Sequence, residues 1–330
     1  MRKLSKIKSL IKIIIITLSI LFAIFICELI LRLNDSYVLP EQYSYELSGT
    51  KYKFTSQINF NEYSNKKRLL VLGDSFTAGF KHVSEKKDFP EQLKDLLSDY
   101  SGNVLNMGIG GKSLPHYIEW VSQLNLSFND TIVIVLYEND ILLDKENCNL
   151  IYKYEDFTKI KAPDICKKIV KDLVSPKYDD NFLKKTNNKI KQFHTIRLIK
   201  NTLYQFNLFK NIYTRSIAQN LWSNMDIEEN IYARDSIIFL KKYIESNNSR
   251  VLFTYFPNTH QIKKNKERNK KTWSEFIGYM NKHDVKILNP YNFFYKNASE
   301  EKMTYSLTDN HPNEEANYLM AQYLSKFIKK

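Results

Sequence analysis

Leu69-Leu70-Val71-Leu72-Gly73-Asp74-Ser75-Phe76-Thr77-Ala78-Gly79 is the stretch that decides the fold. Four consecutive apolar residues predict a strand buried on both faces, and the small, turn-prone residues after it end that strand abruptly. One hydroxyl, that of Ser75, is thereby presented at the carboxyl edge of a sheet, where open α/β sheets bind ligands. Further strand-like segments fall near 103–106, 131–137, 250–256 and 285–289. Helical patterns lie between them, for example Phe89 to Leu97 and Ser236 to Ile244, and an amphipathic stretch runs from Glu315 to Ile328. Alternating β and α elements predict an α/β fold with a parallel sheet and right-handed crossovers.

Three later segments bring polar groups to predicted strand ends. In Asn103-Val104-Leu105-Asn106-Met107-Gly108-Ile109-Gly110-Gly111, three of the chain's 8 glycines lie close together. They let backbone N–H groups approach a ligand with no Cβ in the way, or simply form a strand-to-helix turn. The apolar run ending in Tyr137-Glu138-Asn139-Asp140 puts a side-chain amide at the same edge, where it either donates to a ligand or closes a turn. Asp309-Asn310-His311-Pro312-Asn313 precedes the last helix, and Pro312 suits a first helical turn.

The order Ser, Gly, Asn, Asp/His resembles the SGNH (GDSL-type) hydrolase superfamily over about residues 66–140 and 250–330. The resemblance implies a three-layer α/β/α sandwich around a parallel, flavodoxin-like sheet. It also implies that Ser75 is the nucleophile, His311 the base and Asp309 the acid, with the N–H groups of Ser75 and Gly111 and the Asn139 amide as oxyanion donors. Asn106 and Gly111 together match the second block of the family, and Glu138-Asn139-Asp140 the third. Two positions depart from the pattern: Tyr137 stands where the third block usually begins with glycine, which narrows the pocket, and Thr308 holds the position where the acid often lies. Asp309 is only two residues before the histidine, a spacing also found in members that resemble bacterial polysaccharide O-acetyltransferases. If Asp309 is not the acid, Asp74 and Asp140 are the next candidates.

Such a set suits acyl chemistry. A serine hydroxyl attacks only when a base takes its proton, a carboxylate orients and steadies the imidazolium, and donors hold the developing oxyanion. Acyl transfer to water (an esterase or deacetylase) and to a sugar hydroxyl (an O-acetyltransferase) both fit. A lipid esterase or lysophospholipase is the alternative, and a catalytically silent polysaccharide-binding module of an envelope assembly is an alternative of another class. No cofactor is implied, and the remaining histidines (His82, His116, His194, His260, His283) lack metal-ligand spacing, so no metal is expected. His116 and His194 are expected to be surface or packing residues.

The N-terminus speaks to location. Arg2, Lys3, Lys6, Lys8 and Lys12 precede an apolar run from Ile13 to Cys27 that continues past Glu28 to Leu33, about twenty residues, enough for a transmembrane helix. With the basic flank cytoplasmic, the rest of the chain is expected outside, on a single-pass anchor. No small-x-small cleavage site follows the run, and Ile24-Phe25-Ile26 is too bulky for lipoprotein processing at Cys27. The expected organisation is a basic flank and anchor over 1–33, a polar, tyrosine-rich juxtamembrane segment over 34–65, and a catalytic domain over 66–330. A Lys- and Asn-rich helical insertion at about 141–233 is expected to cap Ser75.

The net charge of +13 includes the five basic residues of the flank, and no basic–aromatic pattern for nucleic acid appears. The run from Lys263 to Lys271 reads as a solvated face or a contact for anionic lipid or acidic polysaccharide. The expected partners are therefore an acylated carbohydrate or lipid substrate, the membrane, and a polysaccharide-modifying envelope complex. Cys148 and Cys166 both lie in the insertion and either pair or stay free.

Overall fold

The computed structural model describes residues 2–34, 42–47, 49–54, 56–58, 67–79, 87–100, 103–137, 140, 143, 145–171, 228–257, 266–297, 304–306 and 309–329. Side chains are described over the same stretches except 2–11, 13, 31–34, 145, 171, 228–230, 266–273, 304–306 and 309–310. The chain divides into two compact units: 1–37 with 177–210 and 306–309, and all the rest.

The larger unit is built on five parallel strands: β3 (Arg68–Gly73), β4 (Val104–Gly108), β5 (Asp130–Leu136), β6 (Arg250–Tyr255) and β7 (Ile287–Leu288), in the order β4-β3-β5-β6-β7. The expected parallel α/β sheet is therefore present, with its last strand shorter than the pattern suggested. Leu69, Leu70, Val71 and Leu72 of β3 and Ile132, Val133 and Ile134 of β5 are wholly buried, as central parallel strands require. The sheet grows one way from β3 to β4 and the other way through β5. That reversal opens a crevice at the carboxyl ends of β3 and β5. At the opposite ends of these strands, Arg68 grips Asp130 through two bonds of 2.7 Å.

Helices cover the sheet. α2 (Phe89–Leu96) is capped by Asp88, whose carboxylate accepts from the N–H of Glu91 at 2.9 Å, and it buries Phe89, Pro90 and Leu93. α3 (Leu114–Gln123) is buried along most of its length. Within the expected insertion lie α4 (Lys145–Thr158) and α5 (Asp164–Lys171), joined by a Cys148–Cys166 disulfide; 172–227 fall outside the described residues. The open choice for these cysteines thus resolves to a pair, worth about 3 kcal/mol for a loop of this length in the chain-entropy model. α6 (Glu228–Ser246), α7 (Lys266–Lys282) and α8 (Tyr291–Asn297) follow. A short pair of strands, β8 (Thr304–Ser306) and β9 (Asp309–Pro312), leads to α9 (Glu314–Ile328), which packs on α2. Pro312 does not open this helix: Asn313 caps it by accepting from the N–H of Ala316 at 3.0 Å, leaving the proline on the preceding strand. The basic run near 266–271 begins α7.

The segment expected to be a polar juxtamembrane stretch contains a hairpin, β1 (Tyr43–Leu47) and β2 (Thr50–Phe54), turning at Gly49 with φ +83°. Alternation along β2 sends Tyr52 and Phe54 inward, where both meet Trp120 edge-on at 5.6 and 5.3 Å. Tyr52 joins the core and Tyr45 packs against it.

The N-terminal helix, α1, runs Arg2–Asn34 and exposes Ile14, Ile15, Leu18, Phe22 and Phe25 among other apolar side chains. Among the described residues no helix is long and apolar enough to cross a membrane.

Candidate active site

Ser75 sits in the turn that closes β3. The backbone carbonyl of Asp74 accepts from the N–H groups of Thr77 and Ala78 at 3.1 and 3.0 Å. The Asp74 carboxylate accepts from the N–H of Phe76 at 2.9 Å. These bonds curl the chain sharply and leave Ser75 the half-exposed residue of an otherwise buried turn. Gly73 and Gly108 are paired across β3 and β4. Both have to be glycine, because a Cβ on Gly73 would strike the Thr77 side chain, and one on Gly108 the backbone of Thr77 and Ala78. The nucleophile turn is packed directly on the end of β4.

His311 arrives from β9 and places Nε2 2.9 Å from Ser75 Oγ, across a sequence separation of 236 residues. This is the distance over which an imidazole takes a hydroxyl proton. The imidazole rests on Phe76, ring centres 5.1 Å apart, and Phe76 stacks on Tyr137 at 3.7 Å. Tyr137, expected only to narrow the pocket, thus extends a stack of rings that backs the histidine. The run of aromatic and imidazole side chains at 76, 137 and 311 was visible in the sequence, but nothing there linked them.

Asn106 is fully engaged. Its N–H donates to Ser56 Oγ at 2.8 Å, its amide nitrogen donates to the Thr77 carbonyl at 3.1 Å, and its Oδ1 accepts from the Gly108 N–H at 2.9 Å. It ties β4 to the nucleophile turn. Gly111, three residues beyond β4, has φ +74° and open space where a Cβ would stand, so its conformation, not crowding, calls for glycine there.

Asn139 lies outside the described residues, and Asp309 lies at the start of β9 with its side chain outside them. Of the other acids considered, Asp74 stays beside the nucleophile, whereas Asp140 is engaged away from it. Asp74 Oδ2 lies 3.4 Å from Ser75 Oγ. Asp140 accepts from the Tyr117 hydroxyl at 3.1 Å and the Tyr137 N–H at 2.8 Å, and its backbone carbonyl accepts from the N–H of Leu114 at 3.2 Å. Burial pushes the Asp140 carboxyl well above the usual carboxylate range, with the nearby Asp74 charge adding to it. Asp140 joins the loop after β5 to α3.

His116 is a packing residue, one of the expected alternatives: it is buried within α3 and paired. Its Nε2 lies 3.1 Å from Glu146 Oε1, while its Nδ1 accepts from the Ser113 N–H at 3.3 Å. That acceptance places the imidazole proton on Nε2. Burial lowers its pKa, more than the Glu146 bond raises it. The Ser113 hydroxyl donates to Asn147 Oδ1 at 2.6 Å and lies 3.5 Å from His116 Nδ1. Together these bonds tie the start of α3 to the start of α4. His82, His194 and His260 lie outside the described residues, and among the described residues no cluster of three or more potential metal ligands occurs.

The described site can accept a proton from Ser75 at a crevice mouth rimmed by glycine backbone. No protein-family model matches the sequence, and no curated protein matches it.

Proposed function

We propose that the protein is a serine-dependent esterase or acyltransferase of the SGNH type, acting on acyl esters of cell-envelope or exported polysaccharide. The observation that carries this reading is the 2.9 Å approach of His311 Nε2 to Ser75 Oγ at the switch point of a doubly wound sheet. The strand order and the helices packed as α2 with α9 and α3 with α6 support a three-layer sandwich.

In this mechanism Ser75 Oγ attacks the acyl carbonyl while His311 Nε2 takes its proton. The N–H groups of Ser75 and Gly111 hold the oxyanion. Collapse expels the alcohol, which leaves with the proton from His311, and an acyl-Ser75 ester remains. Water or a sugar hydroxyl then attacks that ester, His311 again acting first as base and then as acid. Asn139 as third donor and Asp309 as partner of His311 enter on sequence order alone. A single-pass anchor, read from the basic flank and the apolar run that continues to Leu33 in the sequence, would hold the catalytic domain outside the cytoplasm and beside envelope polymers. The helical insertion at 141–233 lies after the strand end that carries Asn139, where it can select among acceptors.

The test is turnover of p-nitrophenyl acetate by wild type and Ser75→Ala, with and without an oligosaccharide acceptor, products being read by mass spectrometry. Ser75→Ala is expected to fold normally and to lose several orders of magnitude in turnover. Acylated oligosaccharide identifies a transferase, and free acetate alone a hydrolase. A folded Ser75→Ala protein as active as wild type overturns the reading, as does an inactive wild type that binds polysaccharide.

A further inference from the structure

We infer that Glu146 and Asn147, at the start of α4, are positioning residues for the loop that carries the Gly111 oxyanion donor, and that the Cys148–Cys166 bond holds them there. The inference rests on the acyl-transfer reading of the Ser75 site. Gly111 occupies a short loop between β4 and α3, and its left-handed conformation is one that few residues adopt unaided. On its β4 side the loop is held by backbone bonds, Ile109 N–H to the Gly73 carbonyl at 3.1 Å and Lys112 N–H to the Ile109 carbonyl at 3.2 Å. On its other side the side chains that hold it come from the insertion. Lys112, the residue after Gly111, pairs with Glu146. Ser113 donates its hydroxyl to Asn147 Oδ1, and His116 links the same Glu146 back to the Ser113 N–H.

Asn147, Ser113 and His116 are each less than 5 % exposed, so the Ser113–Asn147 and Ser113–His116 contacts are made away from competing water, whereas the Lys112–Glu146 pair is exposed and adds less. Lost hydrogen bonds there would leave polar groups unsatisfied, and the loop would move to satisfy them. Cys148 follows Asn147 directly and is itself wholly buried; its bond to Cys166 fastens this end of α4 to α5. A donor aimed at an oxyanion works only when its position is set before the reaction. The first turn of α4 thus sets the angle of a catalytic N–H.

The experiment uses the full chain with p-nitrophenyl acetate, turnover being normalised to the folded fraction, and Ser75→Ala as the reference. Asn147→Leu, close in size but with no acceptor for Ser113, is expected to lower kcat about tenfold to a hundredfold with KM unchanged. Asn147→Asp, which keeps the acceptor, is expected to recover most of it. The paired Cys148→Ala/Cys166→Ala variant, and wild type reduced until the Cys148 and Cys166 thiols titrate in addition to Cys27, are expected to fall as Asn147→Leu does. Unchanged kcat in Asn147→Leu and in the Cys148→Ala/Cys166→Ala protein, with Ser75→Ala inactive, overturns this inference and leaves the acyl-transfer reading standing. A loss expressed in KM alone also overturns it. Full activity in Ser75→Ala removes the reading beneath it. Should Asn147→Leu not fold, the reduced wild type decides the matter by the same kcat criterion.

Discussion

Gly108→Ala adds one methyl group at a tight backbone contact between the sheet and the nucleophile turn. The new Cβ would lie 2.4 Å from the Ala78 nitrogen, 2.7 Å from the Thr77 carbonyl carbon and 2.8 Å from the Ala78 Cα. Non-bonded heavy atoms rest at about 3.5–4.0 Å, so strand and turn must separate by about 1 Å. Neither side yields readily, because β4 is held in register with β3 and the Ala78 N–H is bonded to Asp74. Overpacking of this kind destabilises by about 1–3 kcal/mol. Carried to Ser75, a 1 Å displacement breaks its 2.9 Å contact with His311, and a misplacement of that size lowers turnover about a hundredfold. Urea denaturation and p-nitrophenyl acetate kinetics measure the two effects separately. Gly278→Ala is the control: within α7 it meets nothing within 4 Å, and the same substitution there is expected to stabilise by about 1 kcal/mol. Wild-type stability and kcat in Gly108→Ala would refute the reasoning, since the turn would then have room that the geometry denies it.

Asp130→Ala leaves Arg68 buried without its carboxylate and is expected to destabilise by about 3–5 kcal/mol in denaturant melts. The folded fraction should keep its kcat, because this pair lies at the opposite strand ends from Ser75. Burial pushes the Asp88 carboxyl up to about 7, and the folded state therefore holds a proton that the unfolded chain releases near 3.8. The resulting stability is full below pH 3.8 and is lost as pH rises to about 7, a difference on the order of 4 kcal/mol. Asp88→Asn, which keeps an acceptor for the Glu91 N–H, should remove that slope when its denaturation curves at pH 4 and pH 8 are subtracted from those of wild type. Asp309→Asn is expected to lower ester turnover by up to about ten-thousand-fold, and Thr308→Ala far less, because only a carboxylate steadies the imidazolium. Equal effects of the two substitutions would assign the acid elsewhere.

The sheet was legible in the chain because its signals are local. Four or more apolar residues in a row, ended by small residues, make a doubly buried strand wherever they occur, and β3 and β5 lie within a residue or two of the expected spans. The last helix was legible from its amphipathic pattern, although its cap fell to Asn313 because a side-chain acceptor satisfies an end that Pro312 cannot. The hairpin over 43–54 was not legible as core. A tyrosine-rich strand reads alike whether its rings face water or Trp120, and only the packing of α3 chose. Ser75 and His311 were each named from short motifs, but 236 residues separate them, and only tertiary packing brings Nε2 within reach of Oγ. The pairing of Cys148 with Cys166, the stack from Tyr137 through Phe76 to His311, and the grip of Glu146 and Asn147 on the Gly111 loop likewise depend on which surfaces meet. Periodicity and turn chemistry are written residue by residue, whereas a catalytic distance is the sum of every packing contact between its two ends.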